Sequence, residues 1–182
     1  MDIHLICAGA ARAAVTAVAR SRPALAAFRF HYVSGPVGHL ITRIEQGEAA
    51  ELIVLSRSGI ETLVAAHGVD AGSISVLGTT SVGLAMAPGA DFSFSDEASL
   101  RQRLRQASAV SYGDPAGGDS SGTHFHAVLA RLGLDQELAP RTVLAHSGVD
   151  VVRKVAQGAA DLGATQGTRN PRSCRANASH DA

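Results

Sequence analysis

The side chains best suited to chemistry lie in one glycine-rich stretch, Tyr112–Phe125, which reads YGDPAGGDSSGTHF. A short apolar run precedes it and an amphipathic run follows it, so the pattern predicts a strand, a turn and the start of a helix. Ser120 or Ser121 can cap this helix. The unpaired N–H groups of the first turn, together with the positive end of the helix dipole, would then form a site suited to an anion. The simpler interpretation is a well-capped loop without a ligand.

The same stretch contains residue types that occur at catalytic and metal sites. Gly118–Gly122 reads GDSSG, which is similar to the nucleophile motif of chymotrypsin-like proteases, but Ser121 stands where that motif has glycine. Those proteases are all-β, whereas this chain alternates strands and helices, so we expect no serine nucleophile. His124 and His126 are two residues apart and would point to different faces of a helix. The sequence therefore predicts neither a metal site nor a cofactor.

Composition and charge exclude several kinds of partner. The 182 residues contain 16 Lys and Arg against 16 Asp and Glu, so no net charge attracts nucleic acid or an acidic membrane. Aromatic residues make up 4% of the chain and Trp is absent, which argues against platforms for base stacking. Cys7 and Cys174 lack metal-ligand spacing, and they fall in a predicted core strand and a polar tail. We therefore expect no nucleic acid partner, no membrane insertion and no disulfide.

The first residues bear on location. Residues 1–6 lead directly into a strand, without a basic n-region, a long apolar stretch or a cleavage site. The pattern therefore predicts a cytoplasmic protein, or a periplasmic one if a leader has been removed.

Strands and helices alternate along the first part of the chain. Ile3–Cys7, Phe28–Val33 and Glu51–Leu55 have the composition of strands, and each is followed by a helical pattern. This rhythm predicts an α/β fold, with a mostly parallel sheet and helices on both faces. Ligands of such sheets bind at the carboxyl ends of the strands. There, Ala8–Ala10 and Ser34–Gly38 form two further small-residue turns that open helices.

A second lobe begins after a change of character in the chain. Ile74–Met86 mixes apolar residues with Gly, Ser and Thr, and we interpret it as one long strand or two short ones that cross into the second lobe. The expected division is residues 1–78 for lobe 1 and residues 79–166 for lobe 2. Residues 167–182 have almost no apolar side chains and are expected to form a disordered polar tail.

Four short segments, in this order along residues 1–166, carry a resemblance to a known fold. They are Ala8-Gly9-Ala10 after the first strand, a run that begins Gly38-x-Leu40-x-x-Arg43-Ile44 and continues through Gly47 to Ala50-Glu51-Leu52, Gly113-Asp114-Pro115 with Ser121-Gly122, and Ala160-Asp161-Leu162-Gly163. Together they resemble the type II periplasmic-binding-protein fold, in its molybdate-binding branch of ABC-importer proteins. The resemblance implies two lobes with an oxyanion between them, and a permease partner that receives the ion. It also implies further chain after Gln166 that returns to lobe 1, so we expect a truncation or a change of frame there.

The resemblance also indicates which residues would bind the ligand. The family's first serine falls on Gly9, and its second falls within Gly35–Gly38, where neighbouring Ser34 offers the only hydroxyl. Ser121 and Gly148 stand near the family's two main-chain contacts, and its tyrosine falls on Gln166. The complete predicted ligand-binding set is Gly9, Ala10, Ser34, Gly35, Val37, Gly38, Ser120, Ser121, Gly148 and Gln166. The expected ligand is a small oxyanion or a di- or tricarboxylate.

An enzymatic alternative stays open at this stage. The same branch resembles aconitate isomerase, which moves a double bond in a tricarboxylate on this fold. Such a 1,3-proton shift needs a general base and donors for the charge that develops. The candidate bases are His124, His31 and Asp119. Of the two hypotheses, the sequence favours a binding protein.

Overall fold

The computed structural model describes residues 1–87, 89–90 and 93–167. The predicted polar tail, apart from Gly167, lies outside the described residues, and so does Cys174. The chain divides into two compact units, Met1–Gly78 (unit 1) and Thr79–Ala182 (unit 2).

Unit 1 contains a three-stranded parallel sheet with the strand order β2-β1-β3. The strands are β1 (Asp2–Ala8), β2 (Arg29–Gly35) and β3 (Leu52–Val54). The helices are α1 (Arg12–Ser21), α2 (Val37–Glu45) and α3 (Arg57–Ala65), and short 3-10 turns lie at Pro23–Leu25 and Ala71–Ser73. Each strand is followed by a helix, as the sequence pattern predicts.

The helices of unit 1 differ in how much they bury. The core contains Leu5, Ile6 and Cys7 of β1 together with Leu40 of α2 and Leu63 of α3, all at most 2% exposed. Helix α1 buries no residue. Its Val18 is 54% exposed. Helices α2 and α3 therefore hold the sheet, and α1 is the outlying helix of this unit.

Unit 2 contains a four-stranded sheet with the order β4-β7-β5-β6. The strands are β4 (Val82–Met86), β5 (Val110–Gly113), β6 (Thr142–Ala145) and β7 (Leu162–Gln166). The helices are α4 (Glu97–Gln106), α5 (Ser120–Arg131), α6 (Asp135–Leu138) and α7 (Gly148–Ala156), with a 3-10 turn at Ala139–Arg141. Only β4 is antiparallel to its neighbour, which is β7.

Helices cover both faces of the unit 2 sheet. Tyr112 and Ala164 point to one face, where they join the core cluster that contains Phe125 of α5. On the other face, a Cβ atom added at Gly163 would meet the side chains of Val151 and Val155 of α7, at 2.7 and 2.8 Å. Alternate residues of β7 thus contact different helices, as the pleat of a strand requires. This arrangement confirms the predicted α/β class with helices on both faces.

Two predicted segments differ from the structure. Ser34–Gly38 was expected to be a turn, but β2 continues through Gly35 and α2 begins at Val37, so Pro36 alone joins them. Its fixed φ of −59° suits this abrupt change. Ile74–Met86 was expected to be a long strand or two, but only Val82–Met86 pairs. Val76 and Leu77 are 71% and 73% exposed, so the apolar pattern there does not reflect burial in a sheet. No helix of the described residues is long and apolar enough to span a membrane.

Candidate functional site

A buried carboxylate holds the turn between β5 and α5 in unit 2. Asp119 is the N-cap of α5 and is 6% exposed. Its Oδ1 accepts hydrogen bonds from the Ser121 hydroxyl at 2.5 Å and from the Gly122 N–H at 2.9 Å. At the other end of the loop, Asp114 Oδ1 accepts from the Ala116 N–H at 2.9 Å, which makes the turn. These bonds fix the start of α5 against the end of β5.

Two glycines allow this close approach of strand and helix. A Cβ atom at Gly122 would lie 1.7 Å from the Gly113 carbonyl oxygen, and one at Gly113 would lie 2.2 Å from Asp119 Cγ. Neither position has room for a side chain. Gly118, with a φ of 74°, adopts the left-handed conformation that the turn requires. The glycines of this stretch therefore position the helix.

The start of α5 also contacts the end of β7. Gln166 is the last residue of β7 and is 9% exposed, and its Nε2 donates to Ser120 Oγ at 3.2 Å. The structure thus brings two predicted ligand-binding residues together. The main-chain N–H groups of Ser120 and Ser121 belong to the first turn of α5, where a helix offers no acceptor. Within the described part of the chain, these two N–H groups have no acceptor.

Helix α7 begins in a similar way. Ser147 Oγ accepts from the Asp150 N–H at 3.3 Å, and Asp150 Oδ2 accepts from the His146 N–H at 3.1 Å. Gly148, a predicted ligand-binding residue, is buried as the first residue of α7. Its N–H and that of Val149 come before the first capped N–H, and no acceptor for them lies within the described ranges.

The helices that follow β1 and β2 in unit 1 begin without a side-chain cap. Helix α1 starts after Ala11 and α2 starts after Pro36, and neither residue has a side-chain acceptor. The first-turn N–H groups of Arg12–Ala14 and Val37–His39 have no partner in the part of the chain that the structure describes. Neither first turn contains an acidic residue. Both helix starts therefore keep the full positive end of the dipole.

The remaining predicted ligand-binding residues of unit 1 lie beside these helix starts. Gly9 and Ala10 form the turn after β1, and the Gly9 N–H donates to the Gly35 carbonyl at 3.1 Å, which ties the ends of β1 and β2. Ser34 Oγ lies 3.3 Å from the buried Cys7 Sγ. The one hydroxyl expected to replace the family's second serine is thus already engaged inside unit 1.

The sequence prediction missed Arg12. It is the first residue of α1, its guanidinium lies 5.7 Å from the centre of the Tyr32 ring, and its Nη1 is 3.5 Å from Ser34 Oγ. A cation at the positive end of a helix costs about 0.3–1 kcal/mol of stability, so its position there is unusual. An arginine at the first position of a helix, directly after the Ala8–Ala10 turn, conflicts with the helix dipole. The sequence alone shows this conflict, and it could have identified Arg12 as a candidate.

The three candidate bases lie on different elements, His31 in unit 1 and His124 and Asp119 in unit 2. His31 lies in the middle of β2, where its ring stacks on His4 at 5.1 Å and its Nε2 is 3.1 Å from Asp2 Oδ1. His124 is exposed on α5. Asp119 does lie in the loop, but its Oδ1 accepts two internal hydrogen bonds. Nothing in these positions favours the isomerase hypothesis.

Shifted pKa values in unit 2 have structural causes. The Ser108 hydroxyl, and then its main-chain N–H, lower the pKa of Asp161, which precedes β7. Burial raises the pKa of Tyr112, whose hydroxyl is 3.4 Å from His126 Nδ1. Both side chains contact a neighbouring segment, Asp161 through Ser108 and Tyr112 through His126 of α5. Their pKa shifts therefore reflect the packing of unit 2.

Comparison with known sequences decides the family. The family model of bacterial extracellular solute-binding proteins matches residues 3–171. The chain belongs to this family. No curated protein matches this solute-binding protein by sequence.

Solved structures of the same fold include oxyanion-binding proteins. The Azotobacter vinelandii periplasmic molybdate-binding protein matches with a TM-score of 0.68 and 20% identity over 90% of this chain and 71% of that one. A domain described as the substrate-binding part of a molybdenum ABC transporter from Clostridium difficile gives 0.64 and 18%, over 91% and 71%. The sulfate-binding protein SubI from Mycobacterium tuberculosis gives 0.65 and 17%, over 91% and 64%. At identities this low, the structural match establishes the fold alone. It confirms the predicted resemblance to periplasmic binding proteins.

Proposed function

We propose that this solute-binding protein binds a small anion, either an oxyanion or a di- or tricarboxylate. One observation carries the proposal. Five helices begin at the carboxyl ends of parallel strands with first-turn N–H groups that have no acceptor among the described residues. Predicted ligand-binding residues lie at the starts of four of them, α1 and α2 in unit 1 and α5 and α7 in unit 2. Such N–H groups and the helix dipole favour an anion.

Three of these helix starts, those of α5, α1 and α2, have features that favour a bound anion over a simple turn. In unit 2 the polar side chains of Ser120 and Gln166 lie beside the free N–H groups of α5. In unit 1 the two helix starts lack acidic residues that would compete with an anion. The ligands named for the structural relatives, molybdate and sulfate, are anions that N–H groups and hydroxyls can bind.

The family supports a role in transport. Its members are described as extracellular solute-binding proteins, which favours a periplasmic location over a cytoplasmic one. One structural relative is the substrate-binding domain of a molybdenum ABC transporter, so we propose a membrane permease of that class as the partner.

Isothermal calorimetry against molybdate, tungstate, sulfate, citrate and trans-aconitate tests the proposal. We expect at least one of them to bind with a Kd of about 1 μM or lower, as a specific solute receptor requires. Choline, a cation of similar size, is the control and should give no heat of binding. Heat from none of the five anions would contradict the proposed function.

A further inference from the structure

An open groove of ≈ 440 Å³ runs along α1 in unit 1. Its walls contain Gly9, Arg12, Ala13, Thr16, Ala17 and Arg20. Arg12, Thr16 and Arg20 are spaced by four residues, so they form one stripe on the helix, and its two ends are about 12 Å apart. The groove therefore has a cation at each end and small residues between them.

Only one of these two arginines is held in place by its neighbours. The Arg12 guanidinium lies over the Tyr32 ring, and its Nη1 approaches Ser34 Oγ. Ser34 in turn contacts the buried Cys7, so the Arg12 side chain is connected to the core of unit 1. For Arg20, no comparable ring or hydrogen-bonding partner is found within residues 1–87, 89–90 and 93–167. Arg12 is thus oriented, whereas Arg20 is free to move.

The Arg12 guanidinium also keeps most of its donors. Stacking covers a face of the group, but the five N–H donors lie in its plane, and Ser34 accepts from one side only. Among the described residues, no carboxylate lies within 4.0 Å of it, whereas Arg29, Arg43, Arg101, Arg105, Arg141 and Arg153 all have acidic partners. An oriented, unpaired guanidinium presents a planar fork that fits a carboxylate or oxyanion with two parallel hydrogen bonds.

We infer that Arg12 is the specificity-determining residue of unit 1 and binds a carboxylate or oxyanion group of the ligand. Arg12 then makes the side-chain contact to the anion that Gly9, which has no hydroxyl, cannot make. This inference rests on the proposed function, because it concerns the same helix starts. The added positive charge selects ligands of higher negative charge over neutral or singly charged ones. The first-turn N–H groups of α1 and the Arg12 side chain then donate to the same anion.

The test compares Arg12→Gln with Arg20→Gln, a matched control on the same helix with the same loss of charge. Calorimetry with sulfate, molybdate and citrate is run at low and high salt. We expect Arg12→Gln to lose roughly tenfold or more in affinity for the anions that the unaltered protein binds. Arg20→Gln should lose less than about twofold, because at that distance salt screens an exposed charge. Arg12→Lys, which keeps the charge but not the fork, should lose an intermediate amount.

Each outcome decides one claim. Similar losses in Arg12→Gln and Arg20→Gln, both abolished by high salt, would show that only net charge matters and would overturn the inference. Unchanged affinity in Arg12→Gln would overturn it as well, while the proposed function would stand. Failure of the unaltered protein to bind any of the three anions would overturn this inference, and silence of the full panel would end the proposed function with it. Melting temperatures without anion should not fall in any variant, which excludes a loss of fold as the cause, and Arg12→Gln should be at least as stable as the unaltered protein because a cation leaves the positive end of α1.

Discussion

The helices that follow strands in unit 1 and unit 2 differ in how their first-turn N–H groups are capped. In unit 2, α5 and α7 carry side-chain caps, Asp119 and Ser147, and each has an acidic residue within its cap or first turn. In unit 1, α1 and α2 have neither a cap nor a first-turn acid. The uncapped helix starts of α1 and α2 therefore attract an anion more strongly, whereas the caps of α5 and α7 hold their first turns in a fixed geometry.

This difference has a cost in unit 1. An absent N-cap lowers stability by about 1 kcal/mol per helix, and a cation at the first position of α1 lowers it further. Unit 2 gains both capping bonds and buried packing at the same positions. Stability given up at α1 and α2 is consistent with a binding role for them, because functional positions commonly violate local rules.

The largest expected effect sharpens the geometric side of this comparison. Gly122→Ala would place a Cβ atom 1.7 Å from the Gly113 carbonyl oxygen, so α5 must move away from β5. We expect a loss of about 3 kcal/mol or more in unfolding free energy, measured by urea denaturation. The control is Gly117→Ala in the same loop, where the nearest atom would be 3.5 Å away. A similar small loss in both variants would show that the loop is looser than its contacts indicate.

The buried cap of α5 gives the next effect. Asp119→Ala removes the acceptor of the Ser121 hydroxyl and the Gly122 N–H, and should cost about 2 kcal/mol of unfolding free energy. Asp119→Asn keeps a side-chain oxygen and should cost less than half as much, measured by the same denaturation. Equal losses would mean that the negative charge, and not the cap, is what stabilises the turn.

A cap can be added to unit 1 to make it resemble unit 2. Pro36 has φ and ψ of −59° and 145°, close to the −62° and 156° of Ser56, which does cap α3. Pro36→Asp would therefore bind the N–H groups at the start of α2 and place a negative charge there. We expect anion affinity by calorimetry to fall roughly tenfold, since two acceptors then compete for the same donors. Pro36→Ala is the control and should bind within about threefold of the unaltered protein. Undiminished binding by Pro36→Asp would remove α2 from the site.

The sequence predicted the alternation of strands and helices in unit 1 because the apolar periods there are regular. It also predicted that small-residue segments after strands would open helices, and this holds for Ala8–Ala10 before α1 and for the glycine-rich stretch before α5. It could not predict that Ser34 is engaged with Cys7, since the two meet only when β1 and β2 pair. The end of β2, which continues to Gly35, was misplaced for a related reason, because strand ends depend on pairing and composition does not mark them.

Two buried hydroxyls in the sheet of unit 2 give a smaller effect. Thr165 Oγ1 is buried and has no hydrogen-bond partner among the described residues, whereas Ser111 Oγ donates to the Val143 carbonyl at 2.8 Å. Thr165→Val should therefore raise the unfolding free energy by about 1 kcal/mol, and Ser111→Ala should lower it by about 1 kcal/mol. Guanidinium denaturation of both variants checks this opposite sign. A loss in Thr165→Val would show that its hydroxyl has a partner, such as an ordered water.

The smallest effect depends on pH. Hydrogen bonds from Ser108 lower the pKa of Asp161 below its ordinary value of 3.8, so the ionised form is favoured in the folded state. Its contribution to stability is present above pH 3.8 and is lost as pH falls through the lower folded pKa. Asp161→Asn should therefore be less stable than the unaltered protein at neutral pH, and the difference should shrink in acid. Thermal melts across that range check the sign, and a difference that grows in acid would contradict it.

Amide NMR during an anion titration tests the central claim most directly. With isotope-labelled protein and the anion that binds most tightly in calorimetry, we expect the largest shifts at the free N–H groups of the helix starts. These are residues 12–14 and 37–39 in unit 1, and residues 120–121 and 148–149 in unit 2. Saturable shifts at those positions would establish main-chain binding of an anion. Shifts confined to other surfaces, or none at saturating anion, would contradict the account.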